Sequence, residues 1–546
     1  MPVAAASSVT SPRQKAGVAR NVLIDGQWRP SRSVESFTAA DPRTGKALPE
    51  AYPVSCWSDI DIALGAAANA AAALRAMPDA AQRIAFFLAD YADRIDASAQ
   101  ALVAAASIET ALPASPRLSQ VELPRTTGQL RQAAAAVREG SWCRPTIDTK
   151  AGIRSCLAPL GPVWVIGPNN FPFAFNAISG GEFAAAIASG NPVIAKGHPL
   201  HPATTRLLAE AAHEAATAAQ LPGGTVQMLY HMAPADGLRL VGDSRLQAVA
   251  FTGSRPAGLR LKAAADAAGK LFFGEMSSIN PTVILPGALA ENCDDIAGQL
   301  TTSVLMGTGQ FCTKPGLFFV IAGPDTEKFI DSAAARFNAA PAGYLFSESG
   351  SAALKSAVRT LQAAGADLIA GTTPGTGPGF GFPNTLLRVP AKRFLGNPEG
   401  FQTEAFGNAA LIVVADDSRQ LLAMLNTLGG NLTGSIYSSS NSLDDALCSE
   451  VAAILRPKVG RLLNDKMATG VAVSPAMNHG GPFPATNHPH FTAVGMPAAI
   501  LRFTQLESYD NVREYRLPPS LRDKNPTGTM WRMIDGQPST ADVQRR

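Results

Sequence analysis

The chain has 546 residues, with 46 lysines and arginines against 43 acidic residues and a formal net charge of +3. That length exceeds a single ordinary core and calls for two or more domains, and the near balance of charge gives no reason to expect nucleic acid or an anionic membrane as partner. Hydrophobic residues make up 46% and charged residues 16%, as in a soluble globular protein, and no run approaches the roughly 20 apolar residues of a membrane span. Six cysteines, at 56, 143, 156, 293, 312 and 448, stand singly, without the paired spacings of a zinc site or a disulfide framework. A reducing cytoplasm suits them. The pairs His198/His201 and His488/His490 have no cysteine or carboxylate at a ligand spacing, so no metal is expected.

In chain order, residues 1–20 are Ala- and Ser-rich with three basic and no acidic residues, and read as a flexible tail. NVLIDGQW (21–28) predicts a short hairpin and ADPRTGK (40–46) a loop. From Asp59 to about Ile108, alanines with Leu, Ile and Phe at helical intervals predict long helices. A different rhythm starts at Pro162: VWVIG (163–167), PVIAK (192–196), TVQML (225–229), QAVAFT (247–252) and KLFFGE (270–275) alternate with helical stretches at 176–189, 202–219, 234–240 and 255–268. Strands alternating with helices predict right-handed crossovers and a parallel sheet covered on both faces, a Rossmann-like α/β unit. A second such region follows Asp294, with helices at 294–306 and 325–337 and strands at LFFVIAG (317–323), ALIVVAD (410–416) and GSIY (434–437). The Gly/Pro-rich stretch 371–384 reads as a surface loop.

Five places carry chemistry. Asn170, in the Pro-bounded loop GPNNFP after a strand, offers an amide that could donate to an oxyanion together with the backbone N–H of Cys312. KGHPLHP (196–202) ends a strand with Lys196, His198 and His201 but no carboxylate, so a dinucleotide with the extra phosphate of NADP is tolerated. FTGSRPAG (251–258) places Gly253 and Gly258 at a strand-to-helix turn, where bare backbone and a helix N-terminus suit a pyrophosphate. Glu275 closes an apolar strand, where a carboxylate is expensive unless it faces a cavity, as a base does. Cys312 sits in GTGQFCTKPG (307–316), a small, flexible loop that admits a cofactor or substrate closely. Each also has an ordinary structural alternative: a helix-capping Asn, a solvated Lys, turn geometry, a solvent-facing Glu and a buried inert Cys.

Taken together, GPNNFP, KGHP, FTGS, Glu275 with SSINP, GQFCT and FQTEAFG (401–407) resemble the aldehyde dehydrogenase superfamily in order and spacing, from about Val22 to about Gly536. Within it, KGHPLHP, FFGEMSSINP, SPAMNHGGPFPAT (474–486) and LPPSLRDKNPTGTMWRMIDG (517–536) are similar to the α-ketoglutaric semialdehyde (2,5-dioxopentanoate) dehydrogenase group. The resemblance implies an NAD(P)-binding domain of 21–142 and 159–293, a catalytic domain of 294–490, and an oligomerisation arm with a C-terminal segment from 143–158 and 491–546, including a strand AAILRF (498–503), in a homodimer or homotetramer. It implies that Cys312 attacks an aldehyde, Asn170 holds the oxyanion and Glu275 activates water. Lys196, His198, Pro168, Gly253, Ser254, Gly258, Glu404 and Phe406 would contact NADP or NAD, with NADP favoured. Phe171, Phe175, Phe311 and Phe483 would wall the substrate channel.

The chain departs from the common pattern at Asn169, where an aromatic residue is usual, at Ser277-Ser278 in place of Gly-Gly, at Pro199 in place of a carboxylate, and at Asn408 in place of Pro. No catalytic group is lost. A substrate with a remote carboxylate needs a cation, for which Arg125 is the first candidate, with Arg117 and Arg154 behind it. The implied reaction is oxidation of a small oxo-acid semialdehyde, 2,5-dioxopentanoate to 2-oxoglutarate. A broad fatty or aromatic aldehyde dehydrogenase is the first alternative and a non-catalytic binding protein on the same fold the second; acyl transfer to coenzyme A is disfavoured by Glu275.

Overall fold

The computed structural model describes residues 19–371 and 377–544. Residues 1–18 of the expected tail and 372–376 of the expected loop lie outside them. Among the described residues no single helix is long and apolar enough to cross a membrane.

Three large sheets organise the described residues, beside a two-stranded one of Ser36–Ala40 and Ala47–Pro53. In the first, the strands Leu271–Glu275, Ala248–Thr252, Val163–Ile166, Val193–Lys196 and Val226–Leu229 run parallel in that spatial order, and the hairpin Val22–Ile24/Gln27–Arg29 adds antiparallel to the last. These strands are short, apolar and buried on both faces, as a parallel sheet between helices requires. The alanine-rich segment forms Trp57–Ala76, Ala80–Ala97 and Ala99–Thr110. The helix expected over 176–189 is shorter, Gly181–Ala188, because the preceding residues fold as turns held by Asn176, whose amide donates to Pro172 O and Thr205 Oγ1 at 2.9 and 3.0 Å. Pro202–Ala218 is the next crossover helix. Its first free N–H groups, of Ala203 and Thr204, are met by the buried Glu109 carboxylate at 2.8 and 2.9 Å.

The second sheet has the order Asp367–Ala370, Thr385–Pro390, Ala409–Ala415, Leu317–Ile321, Pro281–Ile284, Asn431–Tyr437 and Val459–Asn464, parallel except for its first strand. Four of these, Asp367–Ala370, Thr385–Pro390, Pro281–Ile284 and Val459–Asn464, are missing from the sequence reading, being short or interrupted by Pro, Gly or charge. The helix expected from 294 begins at Pro286 and breaks its geometry at Asn292 before continuing to Leu305.

The third sheet pairs Thr504–Asp510 antiparallel with Ile153–Pro159, followed by Thr146–Asp148, Arg532–Ile534 and Gln537–Ser539. The strand expected over 498–503 is a 3-10 helix instead. There Ala499, Ile500 and Phe503 plug into the core of the first sheet, and Arg502 pairs with Glu182 on the helix Gly181–Ala188. A turn presents those side chains on one side, which an extended segment would split between two faces.

Candidate active site

Parallel sheets bind ligands beyond the carboxyl ends of their strands, where the order reverses. In the first sheet that point lies between Val163–Ile166 and Ala248–Thr252, from which the chain builds outward in both directions. A cavity of about 280 Å³ opens there, lined by Pro168, Asn169 and Asn170 after one strand, Thr252, Gly253 and Ser254 after the other, and His198, Glu275, Met276, Ser277, Cys312, Glu404 and Phe406. Six separate stretches of chain thus converge on one cleft, and nine of the site residues expected from the sequence face it.

At its inner end, Asn170 is buried, and its Nδ2 donates to Gln310 O at 2.9 Å and to Cys312 Sγ at 3.4 Å. Glu275 ends its strand 3.3 Å from His479 Nε2, and its Oε1 makes no hydrogen bond among the described residues. The Cys312 sulfur, a Glu275 oxygen and a His479 nitrogen all lie within 4.8 Å of one another. The sequence spacing gave no metal-ligand cluster; in three dimensions these three donors do come together.

Burial sets the electrostatics. It pushes the Glu275 carboxyl up to about 8, against a smaller lowering by the Cys312 thiol. Cys312 is driven well above the ordinary thiol value by burial and then by the neighbouring Glu275 charge. His479 falls to about 3 through burial and the positive fields of Arg125, Arg461 and Arg502, so it is a neutral imidazole at physiological pH.

The segment after the second sheet fixes Glu275. Met276 N donates to Ala485 O at 2.7 Å, Gly274 N donates to Asn487 Oδ1 at 2.6 Å, and Glu275 bridges to Thr486. The Cys312 loop is held by Asn280, whose Nδ2 donates to Cys312 O and Lys314 O at 2.8 and 2.9 Å. Asn280 is in turn oriented by Ser278, whose hydroxyl donates to Asn280 Oδ1 at 2.8 Å and contacts Asn431 Oδ1. Ser278 therefore does a job that the glycine usual at this place could not. Asn408, the departure from Pro, donates to Phe382 O and Asn384 Oδ1.

The profile of the aldehyde dehydrogenase family matches residues 28–455. The chain belongs to the aldehyde dehydrogenase family. It is 37% identical over 539 residues to alpha-ketoglutaric semialdehyde dehydrogenase 2 of Azospirillum brasilense, covering 94% of this chain and 98% of that protein. It is 34% identical to alpha-ketoglutaric semialdehyde dehydrogenase of Acinetobacter baylyi, covering 92% and 95%. Its fold matches the crystal structure of PnpE in complex with nicotinamide adenine dinucleotide, with a TM-score of 0.77 at 20% identity over 90% of this chain and 98% of that one. As an aldehyde dehydrogenase, the protein is an oxidoreductase of a family that takes NAD(P).

The other residues expected at the cofactor divide between the cleft, which His198 and Glu404 line, and its surroundings, where Lys196 and Gly258 lie. Gly258 does not face the cavity: a Cβ there would lie 2.8 Å from Met276 Sδ and 3.0 Å from the Phe251 ring, so its bareness serves helix-to-strand packing. Gly309, at φ +68, leaves its space to the Gly407 carbonyl, not to a ligand. Lys196 lies at its strand end outside the cavity lining, and burial lowers it to about 8. His198 stacks on His201 with ring centroids 5.2 Å apart, and His201 Nε2 lies 3.2 Å from Pro168 O. Glu404 accepts from Ser278 N at 3.1 Å.

Phe171, Phe175 and Phe311 form one aromatic wall, with centroids of Phe171 to Phe175 at 5.0 Å and to Phe311 at 5.3 Å. Phe483 stands apart from it, 60% exposed. Arg117 is neutralised by Glu122 and donates to Asn170 O at 3.2 Å, which makes it a support for the Asn170 loop. Arg154, on the third sheet, pairs with Asp523 at 2.7 Å. Arg125 does lie beside the wall, its guanidinium 5.1 Å from the Phe175 centroid. His479, Asn280 and Arg461 escape the sequence reading; the first lies inside SPAMNHGGPFPAT (474–486), a string particular enough to have been searched for a ligand-facing group.

Proposed function

We propose that the protein oxidises a small oxo-acid semialdehyde to the acid with NAD(P), most specifically 2,5-dioxopentanoate to 2-oxoglutarate, through a covalent adduct on Cys312. The observation that carries the chemistry is the placement of Asn170 Nδ2 at 3.4 Å from Cys312 Sγ in a cleft that also holds Glu275. The substrate class is supported by the two semialdehyde dehydrogenase relatives that align with nearly the whole chain.

The cleft suits a dinucleotide because it lies at the strand-order reversal and offers the bare backbone of Gly253 beside Ser254, with Glu404 and Phe406 facing them. Bound NAD(P) supplies the acceptor for the aldehyde's hydride, which leaves the carbon on sulfur at the oxidation level of a thioester. Before that, Glu275 takes the Cys312 proton, and the sulfur forms its bond to the carbonyl carbon. The oxygen that gains the electron pair receives Asn170 Nδ2 and the Cys312 N–H as donors. Glu275 then passes the thiol proton to bulk solvent and, as carboxylate again, takes a proton from an attacking water; the hydroxide adds to the thioester carbon, and the C–S bond breaks to free the acid and the thiolate. A neutral His479 beside Glu275 adds no competing charge.

NADP is favoured because Lys196 stands among imidazoles and KGHPLHP supplies no carboxylate to repel a phosphate. Free thiols at all six cysteines support a cytoplasmic setting. Apolar side chains exposed on or beside the third sheet, Leu506 at 68% and Trp531 at 58% among them, support its use as an arm between copies in a homodimer or homotetramer.

The test is an aldehyde panel followed by absorbance of the reduced cofactor, with NAD and with NADP, on the parent and on Cys312→Ala. Semialdehyde turnover that disappears in the variant is expected; turnover at the parental rate would overturn the mechanism. The aromatic wall also fits a fatty or aromatic aldehyde, and a higher kcat/KM for hexanal than for the semialdehyde would select that reading.

A further inference from the structure

We infer that Arg125 and Arg461 together form the subsite that takes the carboxylate at the far end of the substrate. This rests on the assignment of an oxo-acid aldehyde as substrate and adds the residues that select it.

The two guanidinium groups come from distant parts of the chain, Arg125 from the helix Leu123–Glu139 and Arg461 from the strand Val459–Asn464, yet they are held by consecutive carbonyls. Arg125 Nη1 donates to Val471 O at 2.5 Å and Arg461 Nη1 to Gly470 O at 3.4 Å. Beyond those bonds, Nε and Nη2 of both residues are buried with no hydrogen-bond partner among the described residues. Neither belongs to any of the ion pairs there, whereas the neighbouring Arg117 and Arg502 are each neutralised, by Glu122 and Glu182. Glu122 and Glu275 act on Arg125 from a distance, but two part-buried cations with no carboxylate in direct contact are unfavourable. Burial accordingly lowers the pKa of both. An arrangement of this kind is stabilised by an anion that arrives from outside, and four unmatched N–H-bearing nitrogens fit the two oxygens of a carboxylate.

The position is right for the far end of a substrate on Cys312. Arg125 caps the Phe175 ring, Phe175 abuts Phe171, and Phe171 abuts Phe311, the residue before Cys312. His479, within 4.8 Å of the sulfur, feels the positive field of both arginines. Arg461 has no sequence motif to mark it.

The readout is the ratio of kcat/KM for succinic semialdehyde to that for butanal, at saturating cofactor, in the parent and in Arg125→Met, Arg461→Met and Arg461→Lys. Each Met variant should lower the ratio about 30-fold or more, chiefly through KM, and Lys should restore part of it. A ratio unchanged in either Met variant that folds overturns the pair. Should a Met variant not fold, the parent decides: butanoate should inhibit at least about tenfold more tightly than butanamide, and equal inhibition overturns the subsite. A parent that prefers butanal sinks the oxo-acid assignment itself, whereas a parent that prefers the acid with ratios intact in the variants sinks the arginine pair alone.

Discussion

Glu275 Oε1 lies 3.3 Å from Nε2 of His479, and the two groups are driven in opposite directions by the same burial, the carboxyl up to about 8 and the imidazole down to about 3. Between those values both are neutral, so this pair carries no charge until Glu275 ionises. Hydrolysis of an acyl-cysteine by Glu275 therefore gains with pH. The single-turnover rate of acid release should rise about tenfold per pH unit below pH 8 and level off above it; a flat profile from pH 6 to 9 would show that Glu275 is not the base.

The same displacement has a stability consequence of defined sign. The folded-state value is raised above the ordinary 4.5, so the contribution of Glu275 to stability is greatest below pH 4.5 and is lost as pH rises toward 8. Glu275→Gln removes that loss. At pH 8.5 the variant should be more stable than the parent by up to roughly 4 kcal/mol, and at pH 5 by little; denaturant titrations at the two pH values check this.

Asn170 donates to the sulfur and to Gln310 O from a buried position. Asn170→Ala should lower kcat by about 100- to 1,000-fold through loss of the oxyanion donor, while Cys312 remains open to alkylation. Stopped-flow labelling beside steady-state kinetics separates a lost donor from a displaced thiol.

Burial alone lowers Lys196 to about 8, and its neighbours His198, His201 and His231 are all depressed by burial first and further by its charge. A phosphate contact there depends on the protonated amine. Lys196→Met should raise the KM for NADP by about tenfold and that for NAD by less, and the parent's NADP preference should weaken above pH 8. Equal effects on both cofactors would place the phosphate elsewhere.

The parts of this site that were readable in the sequence share a physical origin. Asn170, Glu275 and Cys312 are polar residues at the ends of apolar strands or in small-residue loops, where hydrophobic patterning makes them conspicuous. Alternation likewise exposes the first sheet, whose strands are continuous apolar runs. His479 is not conspicuous, because the segment from Asn464 to Ala498 has almost no repeating structure and acquires its role only by packing across both sheets; Arg461 lies on the short strand Val459–Asn464, which the sequence reading misses. Glycines mislead for a related reason. Gly258 and Gly309 look like openings for a ligand, but Met276, Phe251 and the Gly407 carbonyl occupy the space, and no local pattern announces a contact between residues so far apart.

Asn280 gives the last prediction. It adopts φ +49, is buried, and donates both amide hydrogens to carbonyls of the Cys312 loop, while its Oδ1 accepts from Ser278 Oγ, Thr433 N and Thr433 Oγ1. Removing the amide strands buried groups on both sides, each at about 1–3 kcal/mol. Asn280→Ala should destabilise the protein by at least about 3 kcal/mol, and Asn280→Asp, which keeps the acceptor but loses the donors, should free the loop selectively. In that variant Cys312 should alkylate faster and turnover should fall, with a smaller loss of stability than in Asn280→Ala. Unchanged alkylation and turnover in Asn280→Asp would mean that the loop is held in place without this amide.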